Sequence, residues 1–174
     1  MSKINYNLNL IRGLAFDVDG VLSPSTIPMS PDGVPQRMVN IKDGFVLQLA
    51  ARLGYKICII TGADSEAVRV RFNGLGIKDV FTKAAHKLPI FEEWMAVNGL
   101  KPEETVYAGD DVPDIICMRH AGLGVAPSDA STDALEAADY ITPCRGGEGV
   151  ARDLLEQILR AQGCWLTDAS AFGW

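Results

Sequence analysis

Short apolar runs alternate with stretches of helical period along this 174-residue chain, and that alternation restricts the fold more than any single residue does. Strands are expected at residues 11–17, 57–60, 79–82, 105–109, 123–126 and 139–142. Helices are expected between them, at 44–53, 65–72, 88–98, 113–120, 132–137 and 150–161. Asp43, Asp64 and Ser131 stand where caps are needed, and Gly54, Gly74 and Gly99 where helices close. This order predicts an α/β fold, a doubly wound, Rossmann-like parallel sheet. The strand runs are apolar throughout, as expected of strands covered on both faces. Val150, Leu154, Leu155, Ile158 and Leu159 share one face of the last helix.

One stretch breaks the pattern. Residues 23–41 are too long for an ordinary strand-to-helix loop. Their centre, Ser30-Pro31-Asp32-Gly33, is a turn signal with strand-like flanks at 26–29 and 36–41. A β-hairpin projecting from the sheet edge is expected there. Two strands alone are marginal in water, so the hairpin should pack on another subunit. The chain reads as a single domain, residues 1–174, with a core at about 10–161 and a tail at 163–174. The tail holds Trp165, Leu166, Phe172 and Trp174 without helical or strand period, and such aromatics are expected to dock.

Composition excludes several roles. Net charge is −6 and no Lys/Arg block stands out, which argues against nucleic acid as a partner. No apolar run approaches the roughly 18 residues of a membrane helix. Residues 1–9 are polar and show no signal-peptide core, so the cytoplasm is the expected compartment. The 4 cysteines have no paired spacing and are expected as reduced thiols. His86 and His120 have no Cys or His partner at zinc-ligand spacing.

The chemistry concentrates where strands end. The first strand stops at Asp17-Val18-Asp19-Gly20. Residues two apart on a strand share a side, which brings Asp17 and Asp19 together at its carboxyl end. Open α/β sheets bind ligands at that edge. Neighbouring carboxylates repel unless they share a proton or a cation joins them. Mg²⁺ is the simplest such cation, since it takes oxygen ligands and leaves positions for phosphate. Three further signals fall at the same edge: Thr61-Gly62 after the second strand, Lys87 before a helix, and Gly109-Asp110-Asp111-Val112-Pro113-Asp114 after the fourth strand. Each is common alone; the four together, in this order, are specific.

In that order they resemble the haloacid dehalogenase (HAD) superfamily of phosphotransferases, over about residues 11–150. The resemblance implies that Asp17 is the nucleophile, Asp19 the general acid and base, and Thr61 and Lys87 the phosphate-holding pair. It implies Mg²⁺ bound by Asp17, the Asp19 main-chain carbonyl and Asp110, with Asp111 and Asp114 on Lys87 or the metal's waters. A carboxylate ionised at neutral pH needs no base to attack phosphorus; its obstacle is repulsion from the phosphate dianion. The gaps from Asp19 to Thr61 and from Thr61 to Lys87 leave no room for a large cap domain.

The finer pattern resembles the capless, tetrameric 3-deoxy-D-manno-octulosonate 8-phosphate (KDO8P) phosphatases of lipopolysaccharide sugar biosynthesis. The matching features are Asp17–Leu22, Lys42-Asp43-Gly44, Thr61-Gly62, Arg71, His86-Lys87-Leu88, the Gly109–Asp114 loop and Arg145-Gly146-Gly147-Glu148-Gly149-Val150. The resemblance implies a homotetramer built through the hairpin, with Asp43, Arg71, Arg145, Gly146 and Gly147 meeting a sugar acid phosphate. An arginine suits its carboxylate, to which a guanidinium donates two parallel hydrogen bonds. Relatives acting on the nine-carbon KDN 9-phosphate carry a charged pair where this chain has Ala63 and Gly74, which favours the eight-carbon substrate. Ser23-Pro24-Ser25 departs from the family's Thr-Asp-Gly. A non-catalytic oligomerisation domain of the same ancestry is the rival reading, and the complete acid, Thr and Lys set argues against it.

Overall fold

The computed structural model describes residues 3–167 and 169–173. Six strands, β1 (Gly13–Phe16), β2 (Lys56–Ile60), β3 (Asp79–Phe81), β4 (Thr105–Ala108), β5 (Leu123–Ala126) and β6 (Tyr140–Ile141), form one sheet in the order β3-β2-β1-β4-β5-β6. Every pairing is parallel. β1 is central: Gly13 is in register with Lys56 on one side and Thr105 on the other. The strand order reverses between β1 and β4, and a crevice opens at such a reversal beyond the carboxyl ends of the strands. Asp17 follows β1 and Asp110 follows β4, so the topology alone carries both acids to that crevice.

Side-chain alternation splits the core into two layers. Leu14 and Phe16 of β1 pack with α1 (Ile41–Arg52) and α6 (Val150–Ala161). Ala15, Cys58, Ile60 and Tyr107 face α3 (Lys87–Val97) and α4 (Val112–His120). α2 (Glu66–Gly74) and α5 (Thr132–Ala137) complete the layers, and α6 buries the five apolar residues that its period predicts. No cap domain is inserted among the described residues.

Two helix caps differ from expectation. α1 begins at Ile41 because Asn40, not Asp43, caps it, accepting from the backbone N–H groups of Lys42 and Asp43. Asp43 lies inside the first turn. α2 is capped by Ser65 through the N–H of Val68, while Asp64 pairs with Lys83 at 3.0 Å.

The arm between β1 and α1 also differs. The tight turn at Ser30–Gly33 forms, with the Gly33 N–H donating to Ser30 and the Gln36 N–H to Pro28. Only one isolated bridge, Met29 to Pro35, joins the flanks. No ladder extends from that bridge, and Pro28 and Pro35, which stand at the pairing positions, supply no N–H for one. The arm still projects, and Met29, Val34, Met38, Val39 and Ile41 are all more than half exposed.

The tail returns to its own chain. Cys164, Trp165 and Leu166 pack on the β1–α6 layer, and the guanidinium carbons of Arg152 and Arg160 lie 4.8 and 5.3 Å from the Trp165 ring centre. Phe172 remains exposed. Trp174, expected to dock with the others, lies outside the described residues.

Candidate active site

The turn after β1 is set by main-chain bonds. The N–H groups of Val21, Leu22 and Ser23 all donate to the Val18 carbonyl. Gly20 has φ +89°, and any side chain there would collide with the Asp110 carboxylate. The turn after β1 and the β4 loop can therefore approach closely only with glycine at this position. A crevice of about 600 Å³ opens beside them, lined by Asp17, Asp19, Thr61, Gly62, Lys87, Asp110, Asp111 and Asp114. Ser25, Arg37, Ala63, Ala84, Ala85 and Pro113 complete its wall. Another crevice, about 560 Å³ between Arg12, Lys56 and Leu100, lies beyond the opposite ends of the strands and contains none of these acids.

Lys87 is the first residue of α3 and is 6% exposed, in the crevice floor. Its Nζ lies 3.0 Å from Asp17 Oδ1 and donates to Asp114 Oδ1 at 2.7 Å. Tyr107, wholly buried on β4, donates its hydroxyl to the same Asp114 oxygen at 3.0 Å. The Asp110 N–H donates to Asp114 Oδ2 at 3.2 Å. Asp114 thus holds three groups in place, on both of its oxygens. The hydroxyl of Thr61 accepts from the Ala63 N–H at 3.2 Å, which turns the loop after β2 into the crevice.

Asp17, Asp110 and Asp114 place carboxylate oxygens within 4.8 Å of one another. So much negative charge in a partly dry site is unfavourable. Burial, then the Asp114 charge, push Asp17 up to about 7, with Lys87 pulling the other way. Burial, then Asp114 and Asp111, push Asp110 up to about 7. With protein groups alone, burial and neighbouring charge thus disfavour the ionised form of both Asp17 and Asp110. A hard dication at these oxygens would restore the charge. Burial works against the Lys87 ammonium, but the charges and hydrogen bonds of Asp17 and Asp114 outweigh it and raise its pKa. An oxygen-only donor set of three carboxylates with a single ammonium beside it fits Mg²⁺.

Asp19 points elsewhere. Its side chain is outside the three-carboxylate group and is gripped by Arg37, whose Nε and Nη2 donate to Oδ1 and Oδ2 at 2.8 and 2.7 Å. Asp111 lies at the exposed rim.

The residues expected to meet a sugar acid do not line this crevice. Asp43 and Arg71 sit in a separate cleft with Asn40 and Leu75. Asp43 accepts the Arg152 N–H at 2.7 Å, covering the first turn of α6. Arg145 extends to Asp129 at 3.4 Å, and the Gly146 N–H donates to Asp129 Oδ1. Gly146 and Gly147 press against the backbone of Gly20 and Pro24, too close for any side chain, and the Gly147 N–H donates to the Val21 carbonyl. The Arg145–Gly147 segment therefore buttresses the turn after β1 from behind. Arg37 and Tyr107 were not singled out from sequence. For Tyr107 a signal existed, a hydroxyl on an apolar strand just before Gly109-Asp110-Asp111. For Arg37, embedded in the arm, none did.

This fold and acid arrangement define a class, and comparison with known proteins agrees. The family described as haloacid dehalogenase-like hydrolase matches residues 59–154. The 3-deoxy-D-manno-octulosonate 8-phosphate phosphatase of Escherichia coli K12 is 36% identical over 153 residues, covering 88% of this chain and 81% of that one. The crystal structure of the Yersinia pestis phosphatase of the same name superposes with a TM-score of 0.87 at 34% identity, covering 91% and 85%. That of Moraxella catarrhalis, in complex with magnesium, phosphate and KDO, gives 0.86 at 32% identity, covering 90% of each chain. The chain belongs to the haloacid dehalogenase-like hydrolases and, within them, to the 3-deoxy-D-manno-octulosonate 8-phosphate phosphatase family.

Proposed function

We propose that this protein is a magnesium-dependent phosphatase that converts 3-deoxy-D-manno-octulosonate 8-phosphate to KDO and phosphate, with a phosphoryl group held transiently on Asp17. The observation that carries the reading is the buried Lys87, fixed between Asp17 and Asp114 in a crevice where three carboxylates converge.

Asp17 attacks phosphorus while the bond to the sugar's terminal oxygen breaks. Asp19 gives that oxygen a proton. It then takes a proton from the water that attacks phosphorus and frees Asp17. Lys87, the Thr61 hydroxyl and the Gly62 N–H hold the phosphate oxygens. Asp17, Asp110 and the Asp19 main-chain carbonyl would hold Mg²⁺; Asp114 is within reach, but its oxygens already serve Lys87, Tyr107 and the Asp110 N–H. When bound, Mg²⁺ offsets the repulsion between carboxylate and phosphate.

We read the chain as one domain that assembles as a homotetramer through the arm, and its exposed apolar residues support this. Arg71 and Arg145, which keep accessible surface, are read as the side chains that meet the sugar acid, while Asp43 stays buried under the first turn of α6. Four free thiols suit the cytoplasm, and no helix among the described residues is long and apolar enough to cross a membrane.

The test is phosphate release from octulosonate 8-phosphate, nonulosonate 9-phosphate and simple sugar phosphates, with Mg²⁺ and with chelator. The eight-carbon ester should be turned over fastest, and only with Mg²⁺. Equal rates on all esters, or full activity in chelator, would overturn the reading.

A further inference from the structure

Arg37 belongs to the arm, yet it reaches the catalytic edge. Its guanidinium donates to both oxygens of Asp19, at 2.8 and 2.7 Å. Among the described residues no other group hydrogen-bonds that carboxylate. The paired bonds matter because a fork of two N–H groups fixes a carboxylate in one plane, whereas a single bond lets it rotate. Each oxygen keeps a second lone pair for a proton exchanged with substrate or water. The Arg37 side chain is 13% exposed and that of Asp19 is 35% exposed, so the arm covers the cation and leaves the acid open to the crevice.

The limb that carries Arg37 is itself tied down on both sides. The Met38 N–H donates to Ser23 Oγ at 3.2 Å, and Asn40 Nδ2 donates to the Gly147 carbonyl at 3.1 Å. Ser23 and Gly147 both hold the turn that bears Asp19, since Gly20 donates to Ser23 and Gly147 to Val21. Arm, buttress and catalytic turn thus form one bonded unit, and Arg37 is its contact with the reacting group. Lys87, the other cation of the crevice wall, is occupied by Asp17 and Asp114 and serves a different face of the site.

We propose that Arg37 is a positioning residue that aims the Asp19 carboxylate at the leaving oxygen and the attacking water, so that the arm's placement sets the efficiency of proton transfer. The proposal rests on the phosphatase reading above and adds a residue that acts through Asp19, not through the phosphate.

Two variants test it, Arg37→Met, which keeps the apolar stem, and Arg37→Lys, which keeps the charge but offers a single donor nitrogen in place of the fork. Each is assayed on a sugar phosphate, whose alkoxide must be protonated, and on p-nitrophenyl phosphate, whose phenolate leaves without help. Arg37→Met should lower kcat on the sugar phosphate about 10- to 100-fold, with KM within about two-fold. Rapid mixing with p-nitrophenyl phosphate should show a nitrophenolate burst at the wild-type rate followed by slow turnover, because Asp17 still attacks while water activation is impaired. Arg37→Lys should recover part of the loss. A rise in KM alone would overturn the proposal by making Arg37 a substrate ligand. So would a burst slowed as much as turnover in both variants, or kinetics unchanged from wild type. Wild-type protein inactive on both esters would instead remove the phosphatase reading, and this inference with it.

Discussion

The floor of the crevice and the arm above it are built on opposite principles. On the floor, Lys87, Asp114 and Tyr107 are buried, and Lys87 and Tyr107 both donate to Asp114. A satisfied polar network in a dry setting is rigid, since any displaced group would lose partners it cannot regain from water. The arm is exposed, carries one isolated bridge and offers apolar side chains to solvent. Few contacts hold it, and Arg37, Met38 and Asn40 provide most of those that reach the site. The difference separates tasks. The phosphate-facing groups sit on the rigid sheet edge, whereas Asp19 is held from an exposed segment that has few contacts of its own.

The sharpest way to break this contrast is Asp17→Asn. Losing the nucleophile should reduce phosphate release by more than about 10³-fold, while Mg²⁺-free thermal stability holds or rises because one crowded charge is gone. Residual turnover near wild type would move the chemistry off the floor. Unfolding curves and phosphate assays on the same preparation read both.

Asp43 probes the joint where the arm meets α1. It is 2% exposed; one oxygen accepts the Arg152 N–H, and the other has no partner among the described residues. Burial pushes its carboxyl up from 3.8 to about 6, against the pull of the Arg152 N–H and charge. The folded value lies above the unfolded one, so the native state binds the proton more tightly. Its contribution is then full below about pH 4 and lost as pH rises through about 6. Asp43→Asn keeps the acceptor and removes the charge. It should stabilise the protein at pH 7.5 by roughly 1–3 kcal/mol, the gain fading by pH 4. Urea titrations across that range check it; a gain independent of pH would discount the buried charge.

Tyr107→Phe tests the floor more gently. The ring packing survives, but Asp114 loses one donor and Lys87 is held less firmly. A kcat lower by about 3- to 10-fold is expected, as for one buried hydrogen bond, with KM little changed. Steady-state kinetics decide; an unaltered kcat would show that the floor needs only Lys87 and the Asp110 N–H.

The smallest effect on the single chain is expected in the arm. Replacing Met29, Val34 and Met38 by Ser should alter unfolding free energy by no more than about 0.5 kcal/mol each, since all three are more than half exposed. The same triple variant should elute as a smaller species than wild type on sizing. An unchanged oligomer would give the arm's apolar face another purpose.

Sequence readability follows the same divide. Period and composition located all six strands and six helices of the sheet layers, because burial on both faces of a parallel sheet writes itself as apolar runs. The acids were legible as well: a strand that stops at Asp17, and another followed by Asp110 and Asp114, meet wherever β1 and β4 are neighbours. The arm was misread in part. Its turn was visible in Ser30–Gly33, but the strand-like flanks do not form a ladder, with Pro28 and Pro35 at the pairing positions. Helix caps were misassigned by one or a few residues, since Asn40 and Asp43, or Asp64 and Ser65, are equally plausible caps until the backbone shows which N–H groups lie near.

The order of residues in this chain determined a parallel α/β sheet with carboxylates, a threonine and a lysine at its carboxyl edge, because secondary-structure period and strand-end position are local properties. Tertiary structure alone decided that Arg37 grips Asp19, that Tyr107 steadies Asp114, and that Asp43 and Arg71 turn away into a separate cleft. Those partnerships join residues far apart in sequence or on different elements, where side-chain direction and close approach determine what touches, and neither is written in any one segment.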